Sequence, residues 1–194
     1  LTKNYIGGGG FYVDIGAHHP FRFSNTFKLY QKGWSGINID AMPKSMKLFN
    51  RFRKRDTNLE IGVGNKSSII NFYIFEEHAL NTFDEEIAKQ RQLKHPIKEI
   101  QKIPVENINT ILKQYLNHAQ KIDLLSIDVE GMDLDILKSL DWALFYPEVV
   151  LAESYKKDLH TDPIYLFMQS QNYKMLAKTT RTYIFIKEDS ILLS

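Results

Sequence analysis

Short apolar runs, each closed by an acid and small residues, set the rhythm of this chain. Phe11-Tyr12-Val13-Asp14-Ile15 is broken by Gly16-Ala17-His18-His19-Pro20, and Gly36-Ile37-Asn38-Ile39-Asp40 repeats the pattern before Ala41-Met42-Pro43. Runs of this length, rich in Val, Ile and aromatics, read as strands of a parallel sheet covered on both faces. Between the two, Ser24-Asn25-Thr26 offers short polar side chains that satisfy the free amides of a first turn, and Gly33 suits a helix end. A helix over 24–32 is therefore predicted. Pro43 suits the opening of a second helix, 43–54, with Met46, Phe49 and Phe52 facing inward. A third strand is expected over 57–63, and the alternation from Ile69 to Phe75 reads as an antiparallel strand or hairpin arm.

From Glu76 to Lys102 the periodicity fades and charge dominates, with a helix expected at 84–93. The segment 76–104 reads as a lid or acceptor-side insertion within a single domain spanning 1–194. Regular pattern returns with a helix at 107–119, a strand at 122–128, a helix at 132–140, a strand at 148–153 and a helix opening at Asp162-Pro163. Two last strands, near 173–179 and 182–188, are joined by Thr180-Arg181 alone and should pair as an antiparallel hairpin. This is an α/β fold, a doubly wound, mostly parallel, seven-stranded Rossmann-like sheet with an antiparallel C-terminal hairpin. Ligands of such sheets bind outside the carboxyl ends of the strands, where strand order reverses. Asp40 follows Gly16 at about the interval at which dinucleotide folds place the acid that holds a ribose diol. Gly16 itself, having no Cβ, allows a sharp turn and close approach of a ligand.

Composition narrows this picture without redirecting it. A chain of 194 residues, 43% hydrophobic and 25% charged, suits one soluble globular domain with a full core. A net charge of +2 gives no argument for nucleic acid, and no apolar run is long enough to be inserted across a membrane. No signal-peptide pattern is seen, so a cytoplasmic location is expected. The chain opens on Leu1 rather than Met, which leaves room for residues upstream, and Gly7 to Gly10 reads as a hinge. With no cysteine, disulfides, thiolate metal sites and a cysteine nucleophile are excluded. The chemistry then falls to carboxylates and histidines. Asp128 and Glu153 end neighbouring strands and should converge with Glu130 over the crevice, while His18 and His19 stand at its mouth.

Val13 to Ala17, Gly36 to Pro43, Ile122 to Gly131 and Pro147 to Glu153, in that order, together resemble the FkbM-type methyltransferase family, from residue 11 to about 188. The surroundings of His18-His19-Pro20 and Arg22 to Thr26 are similar to a branch found among bacterial surface-polysaccharide genes. The terminal hairpin agrees, since a class I methyltransferase ends its sheet with an antiparallel strand. The resemblance implies S-adenosylmethionine as methyl donor. As acceptor it implies a hydroxyl of a sugar or nucleotide-activated sugar, in capsule or lipopolysaccharide biosynthesis. It says nothing of oligomeric state. It further implies that Asp14, Gly16 and Ala17 border the methionine half of the donor, that Asp40 accepts the ribose hydroxyls, and that Ala41 and Met42 pack on the adenine. Ser24 and Asn25 would cap their helix while facing the donor, and Asp128 would touch donor and acceptor alike.

A sugar hydroxyl is a poor nucleophile at neutral pH and needs a base within hydrogen-bond reach. Asp128, Glu130 and Glu153 can supply one whose pKa is raised by burial and like charge, or they can hold Mg²⁺ or Mn²⁺, which acidifies the hydroxyl. Glu130 has the further reading of a helix cap or donor contact. His18 or His19 is the other candidate base, or a metal ligand. Arg22, Asn81, Thr82 and His160 are expected on the acceptor side, with Phe83 stacking on a sugar or simply packing. His78, His95 and His118 read as surface residues. Arg51, Arg53, Lys54 and Arg55 either complement a helix dipole or grip a diphosphate. Two other functions stay open, a nicotinamide-dependent oxidoreductase and a non-catalytic nucleotide-binding scaffold. Gly16-Ala17-His18-His19-Pro20 lacks the G-x-G-x-x-G spacing that the first of these needs.

Overall fold

A computed structural model describes residues 9–117, 120–156, 158–190 and 192. Part of the glycine hinge (Gly7 and Gly8), His118 and the last two residues of the helix expected over 107–119 lie outside the described residues. In chain order the elements are β1 (Phe11–Ile15), α1 (Phe27–Gln31), β2 (Ser35–Asp40), α2 (Met46–Phe52), β3 (Thr57–Glu60), β4 (Gly62–Gly64), β5 (Ser68–Phe75) and α3 (Glu85–Gln92). Then follow β6 (Ile97–Asn107), α4 (Ile108–Tyr115), β7 (Leu124–Ile127), α5 (Asp133–Ser139), β8 (Val149–Glu153), α6 (Pro163–Ser170), β9 (Tyr173–Lys178) and β10 (Thr182–Lys187).

Seven strands form one sheet in the order β3-β2-β1-β7-β8-β10-β9. Every pair from β3 to β8 is parallel, and β10 is antiparallel to both of its neighbours. The chain winds outward through β2 and β3, then returns to the other side of β1 to build β7 and β8. Strand order therefore reverses between β1 and β7, which is where such folds bind ligands. The missing alternation in these runs follows from burial on both faces. Val13, Ile15, Ile37, Ile39, Leu125 and Ile127 pack under Ile108, Ile111 and Leu112 of α4 and Ile136 and Leu137 of α5. Tyr12, Trp34, Leu124, Val149 and Ile186 form the core of the other face. Each such side chain contributes about 1.5–3 kcal/mol relative to exposure.

The region after β3 departs from expectation. The strand expected over 57–63 is two strands interrupted at Ile61: β3 pairs with β2, whereas β4 leaves to pair with β6 in a second sheet, β4-β6-β5. Glycine makes that exit feasible, because a Cβ at Gly62 or Gly64 would come within 2.7 or 2.8 Å of the Val105 side chain on β6. The eleven-residue β6 was concealed by its charge, since Lys98, Glu99 and Lys102 are solvated while Ile103 and Val105 face the interior. Phe72 and Ile74 of β5 join Ile103 in a small core against Ala41, Met42 and Phe83, which seats the second sheet beside the end of β2. In α2, Met46 and Phe49 are buried as expected, but Phe52 is 41% exposed. The inward place at the end of that helix is taken by Arg53 instead.

Candidate functional site

At the carboxyl ends of β1, β2 and β7 lies a cavity of about 570 Å³, within the range of small-molecule sites. The loop after β1 contributes Gly16, Ala17, His18, His19, Arg22, Ser24 and Asn25 to its wall, with Asp14 beneath them. Asp40, Ala41 and Met42 come from the end of β2, Asp128 and Glu130 from the end of β7, and Asn81 and Phe83 from the segment between β5 and α3.

Three strand ends are laced together below this wall. The amides of Gly16 and Ala17 both donate to the Ile39 carbonyl, at 2.9 and 3.0 Å, and the Asp128 amide donates to the Ile15 carbonyl at 2.9 Å. Gly16 has φ +80°, and a Cβ there would stand 1.8 Å from the Asp128 carbonyl oxygen. Glycine is thus required first by the approach of the β1 and β7 backbones. Asp40 accepts the His18 amide on Oδ2 and the Met42 amide on Oδ1, both at 2.8 Å. These bonds hold His18 at φ +54° and leave each carboxylate oxygen a second lone pair. Burial raises the Asp40 pKa above the usual carboxylate range, opposed by the two amides.

Asp14 is buried, and its carboxylate accepts the Thr26 hydroxyl at 2.7 Å. Burial raises its pKa, against the pull of Thr26, Ser126 and Arg53. The same Thr26 oxygen accepts Nη2 of Arg53 at 3.0 Å. Arg53 also donates to the Tyr12 hydroxyl (2.6 Å), the Pro20 carbonyl (3.1 Å) and Oδ2 of Asp56 (2.9 Å), with its guanidinium 4.6 Å from the centre of the Tyr30 ring. Neither reading of the basic run describes this residue: Arg53 is a fully buried tie under the β1 loop. None of the four cations lines the cavity. The helix start differs as well. Ser24 accepts the amides of Thr26 and Phe27, whereas Asn25 donates to Ser126 on β7 at 3.1 Å.

Opposite Asp40 stands an acidic cluster. The register pairs Ile127 with Ala152, so Asp128 and Glu153 are adjacent strand-end residues. With Glu130 they offer three oxygens within 4.8 Å of one another. The Asp128 pKa is pushed up to about 8, first by burial and then by Glu153, Asp133, Glu130 and Asp14. Burial and Glu130 raise Glu153, which shares a hydrogen bond with Asp128. Buried Asp133, pushed up to about 7 chiefly by burial, accepts the Glu153 amide at 3.2 Å. Tyr155 donates to Glu130 and to Glu153, the latter at 2.9 Å, and remains a neutral donor because burial and the two acids raise its pKa. Arg91 of α3 pairs with Glu130 and donates to the Leu80 carbonyl at 2.6 Å. Arg91, Tyr155 and Asp56 were not singled out from sequence, and Arg53 only as one member of the basic run.

Other expected residues are placed less centrally. Glu153 lies behind Asp128, outside the cavity lining, with Arg181 at 4.0 Å. Thr82 is buried and fully engaged, donating to the Glu130 carbonyl at 2.7 Å and accepting the Asp84 amide at 3.0 Å. Asn81 lines the cavity, but its Oδ1 is held by the Phe75 amide at 2.9 Å. His160 is exposed on the turn Leu159–Thr161, away from the cavity wall. His19 accepts the amides of Phe21 and Arg22 on Nδ1, which fixes the neutral ring with its proton on Nε2, and burial with His18 lowers its pKa. His95 is exposed, and the side chain of His78 is outside the described part of the structure. Phe83 packs on Phe72, with ring centres 4.5 Å apart.

A doubly wound seven-stranded sheet with one antiparallel strand, and with its crevice at the β1–β7 reversal, defines a methyltransferase-like α/β protein. The chain belongs to the FkbM methyltransferase family: the model of the methyltransferase FkbM domain matches residues 14–175. Among solved structures it is similar to the methyltransferase FkbM from Methylobacillus flagellatus KT, with a TM-score of 0.54 and 13% sequence identity. The match covers 92% of this chain and 43% of that one, so this chain spans less than half the length of that protein. No curated protein matches this sequence.

Proposed function

We propose that this chain transfers a methyl group from S-adenosylmethionine to a hydroxyl of a sugar or nucleotide-activated sugar, in the making of a bacterial surface polysaccharide. The observation that carries the reading is that one cavity has a ribose-type acid, Asp40, on one wall and a carboxyl of raised pKa, Asp128, on another. In this reading the free lone pairs of Asp40 accept the ribose hydroxyls, Ala41 and Met42 flank the adenine, and Asp14, Gly16, Ala17, Ser24 and Asn25 border the methionine half. The donor supplies an electrophilic methyl carbon on a sulfonium. The contribution of the chain is to hold the acceptor oxygen in line, exclude water and take the proton.

Asp128 is assigned as that base, with Glu153 and Glu130 supplying the like charge that tunes it. His18, at the mouth, is assigned to orient the acceptor; His19 is less suited, because its Nδ1 already serves two amides. The three carboxylates suit a shared proton better than Mg²⁺ or Mn²⁺, since the Glu130 oxygen already accepts from Arg91 and Tyr155. The insertion at 76–104 is assigned to the acceptor side, where exposed Arg22, Lys44, Glu76 and Glu77 on the cavity rim offer an acceptor charged contacts of both signs.

Titration calorimetry tests the donor half. S-adenosylhomocysteine should bind and NAD should give no heat. Asp40→Ala should weaken S-adenosylhomocysteine by about ten- to a hundredfold, the worth of hydrogen bonds to a charged group. Unchanged affinity in that variant would remove the reading. Turnover with labelled donor and a panel of nucleotide sugars, with and without EDTA, tests the acceptor and the absence of a metal requirement.

A further inference from the structure

Nine of the 25 lysines and arginines, but only one of the 23 acids, fall within residues 16–55. Arg53 is buried and the one acid, Asp40, is tied to two amides in the cavity wall, so the exposed charge of this stretch is entirely positive. Along α2, Lys47, Leu48, Arg51 and Phe52 recur at the spacing of one helical face, and all four are exposed. Leu48 is 43% and Phe52 41% exposed, and Phe23, in the loop after β1, reaches 79%. Phe21 joins the two parts, edge-on to Phe52 at 5.0 Å and to Phe27 at 4.9 Å. Cations sit against the outer rings, Arg22 at 5.7 Å from the centre of Phe23 and Arg51 at 5.2 Å from that of Phe52. Arg22, Phe23, Lys44 and Leu48 also line the cavity, so this patch and the cavity mouth share a rim.

We propose that this face docks on an anionic lipid bilayer. Exposed aromatic rings among cations are what an interfacial surface requires. The rings enter the boundary between headgroups and acyl chains, and each lysine or arginine near the surface adds about 1 kcal/mol on anionic lipid. The docking is peripheral, since among the described residues no helix is long and apolar enough to cross a membrane. A single-stranded nucleic acid is the lesser fit, because it needs flat ring faces for base stacking. Here Phe21 and Phe52 are set edge-on to each other and guanidinium groups lie against Phe23 and Phe52. Docking does not depend on the methyl-transfer reading. If both hold, the mouth opens at the bilayer, where a lipid-borne acceptor would enter.

Flotation of the full chain with vesicles tests this. The protein should float with vesicles of phosphatidylethanolamine and phosphatidylglycerol, not with phosphatidylcholine alone, and should be released as salt shortens the screening length. The double charge reversal Lys47→Glu with Arg51→Glu should reduce partitioning at least tenfold, as should Phe52→Ser. Neither substitution touches the cavity lining, so the variants should stay folded and S-adenosylhomocysteine binding should be unchanged, and loss of donor binding alone would count against the function, not the docking. The inference is overturned if vesicles of both compositions retain the protein equally or not at all, or if charge reversal leaves partitioning intact. It is equally overturned if Phe52→Ser dissociates a dimer seen by light scattering, or if an oligonucleotide is bound through the same residues in preference to lipid.

Discussion

A carboxylate that is to accept a proton near neutral pH needs surroundings that disfavour its charge, and Asp128 has burial and four acidic neighbours. Its pKa of about 8 belongs to a hydrogen-bonded pair with Glu153, so the rate should follow the proton of the pair. Turnover should therefore rise with pH through about 8 as that proton is lost. Asp128→Asn should lower kcat by about 10²–10⁴ while S-adenosylhomocysteine affinity changes little. Single-turnover rates across pH would show this, and a profile unaffected by the substitution would take the base assignment away from Asp128. At this scale the sequence was legible wherever an acid stood at the tip of an apolar run, as with Asp40, Asp128 and Glu153. Tyr155 and Arg91 were not legible, because they reach Glu130 from separate elements whose placement only the tertiary fold decides.

Between elements, Arg53 binds more of the site together than any acid in it. Through hydrogen bonds it joins β1 at Tyr12, the following loop at Pro20, the start of α1 at Thr26, and Asp56 ahead of β3. Asp56 in turn accepts from Tyr12, Asn38 and the Gly36 amide. Arg53→Met should cost about 3–5 kcal/mol, because Asp56 would be left buried without its cation. Denaturant unfolding measures it, and a loss under about 1 kcal/mol would mean the network relaxes around the gap. The elements that sequence located best are those buried on both faces, whose apolar content is dense enough to be unambiguous. β6 escaped because only one of its faces is dry, and β4 because three residues, two of them glycine, carry no pattern of their own.

For the molecule as a whole, the crowded acids tie stability to pH. Asp128 and Asp133 are pushed up to about 8 and about 7 in the folded protein, above the ordinary aspartate value of 3.8. The native state therefore binds more protons than the unfolded chain between those limits, so stability must fall as pH rises through that window. Melting temperature should drop between about pH 4 and pH 8. Asp128→Asn should flatten the drop, and an identical pH dependence in that variant would assign it elsewhere. The doubly wound, mostly parallel sheet and its terminal hairpin were accessible from sequence because few topologies satisfy short right-handed connections. Of the second sheet only the arm at Ile69 to Phe75 was, since its partner β6 is masked by charge and β4 pairs with β6 across the whole excursion.

That second sheet also has a closed stem. Gly64 pairs with Asn107, whose side chain donates to the Asn65 carbonyl at 2.6 Å, so the excursion between them departs and rejoins at a single point. A segment tethered in this way can be exchanged for another without disturbing the winding of the larger sheet. Selectivity for a new acceptor is then within reach of a transplant, and a chimera cut at Gly64 and Asn107 should keep its affinity for the donor if it retains Phe72, Ile74, Asn81, Phe83 and Ile103, which meet Ala41 and Met42.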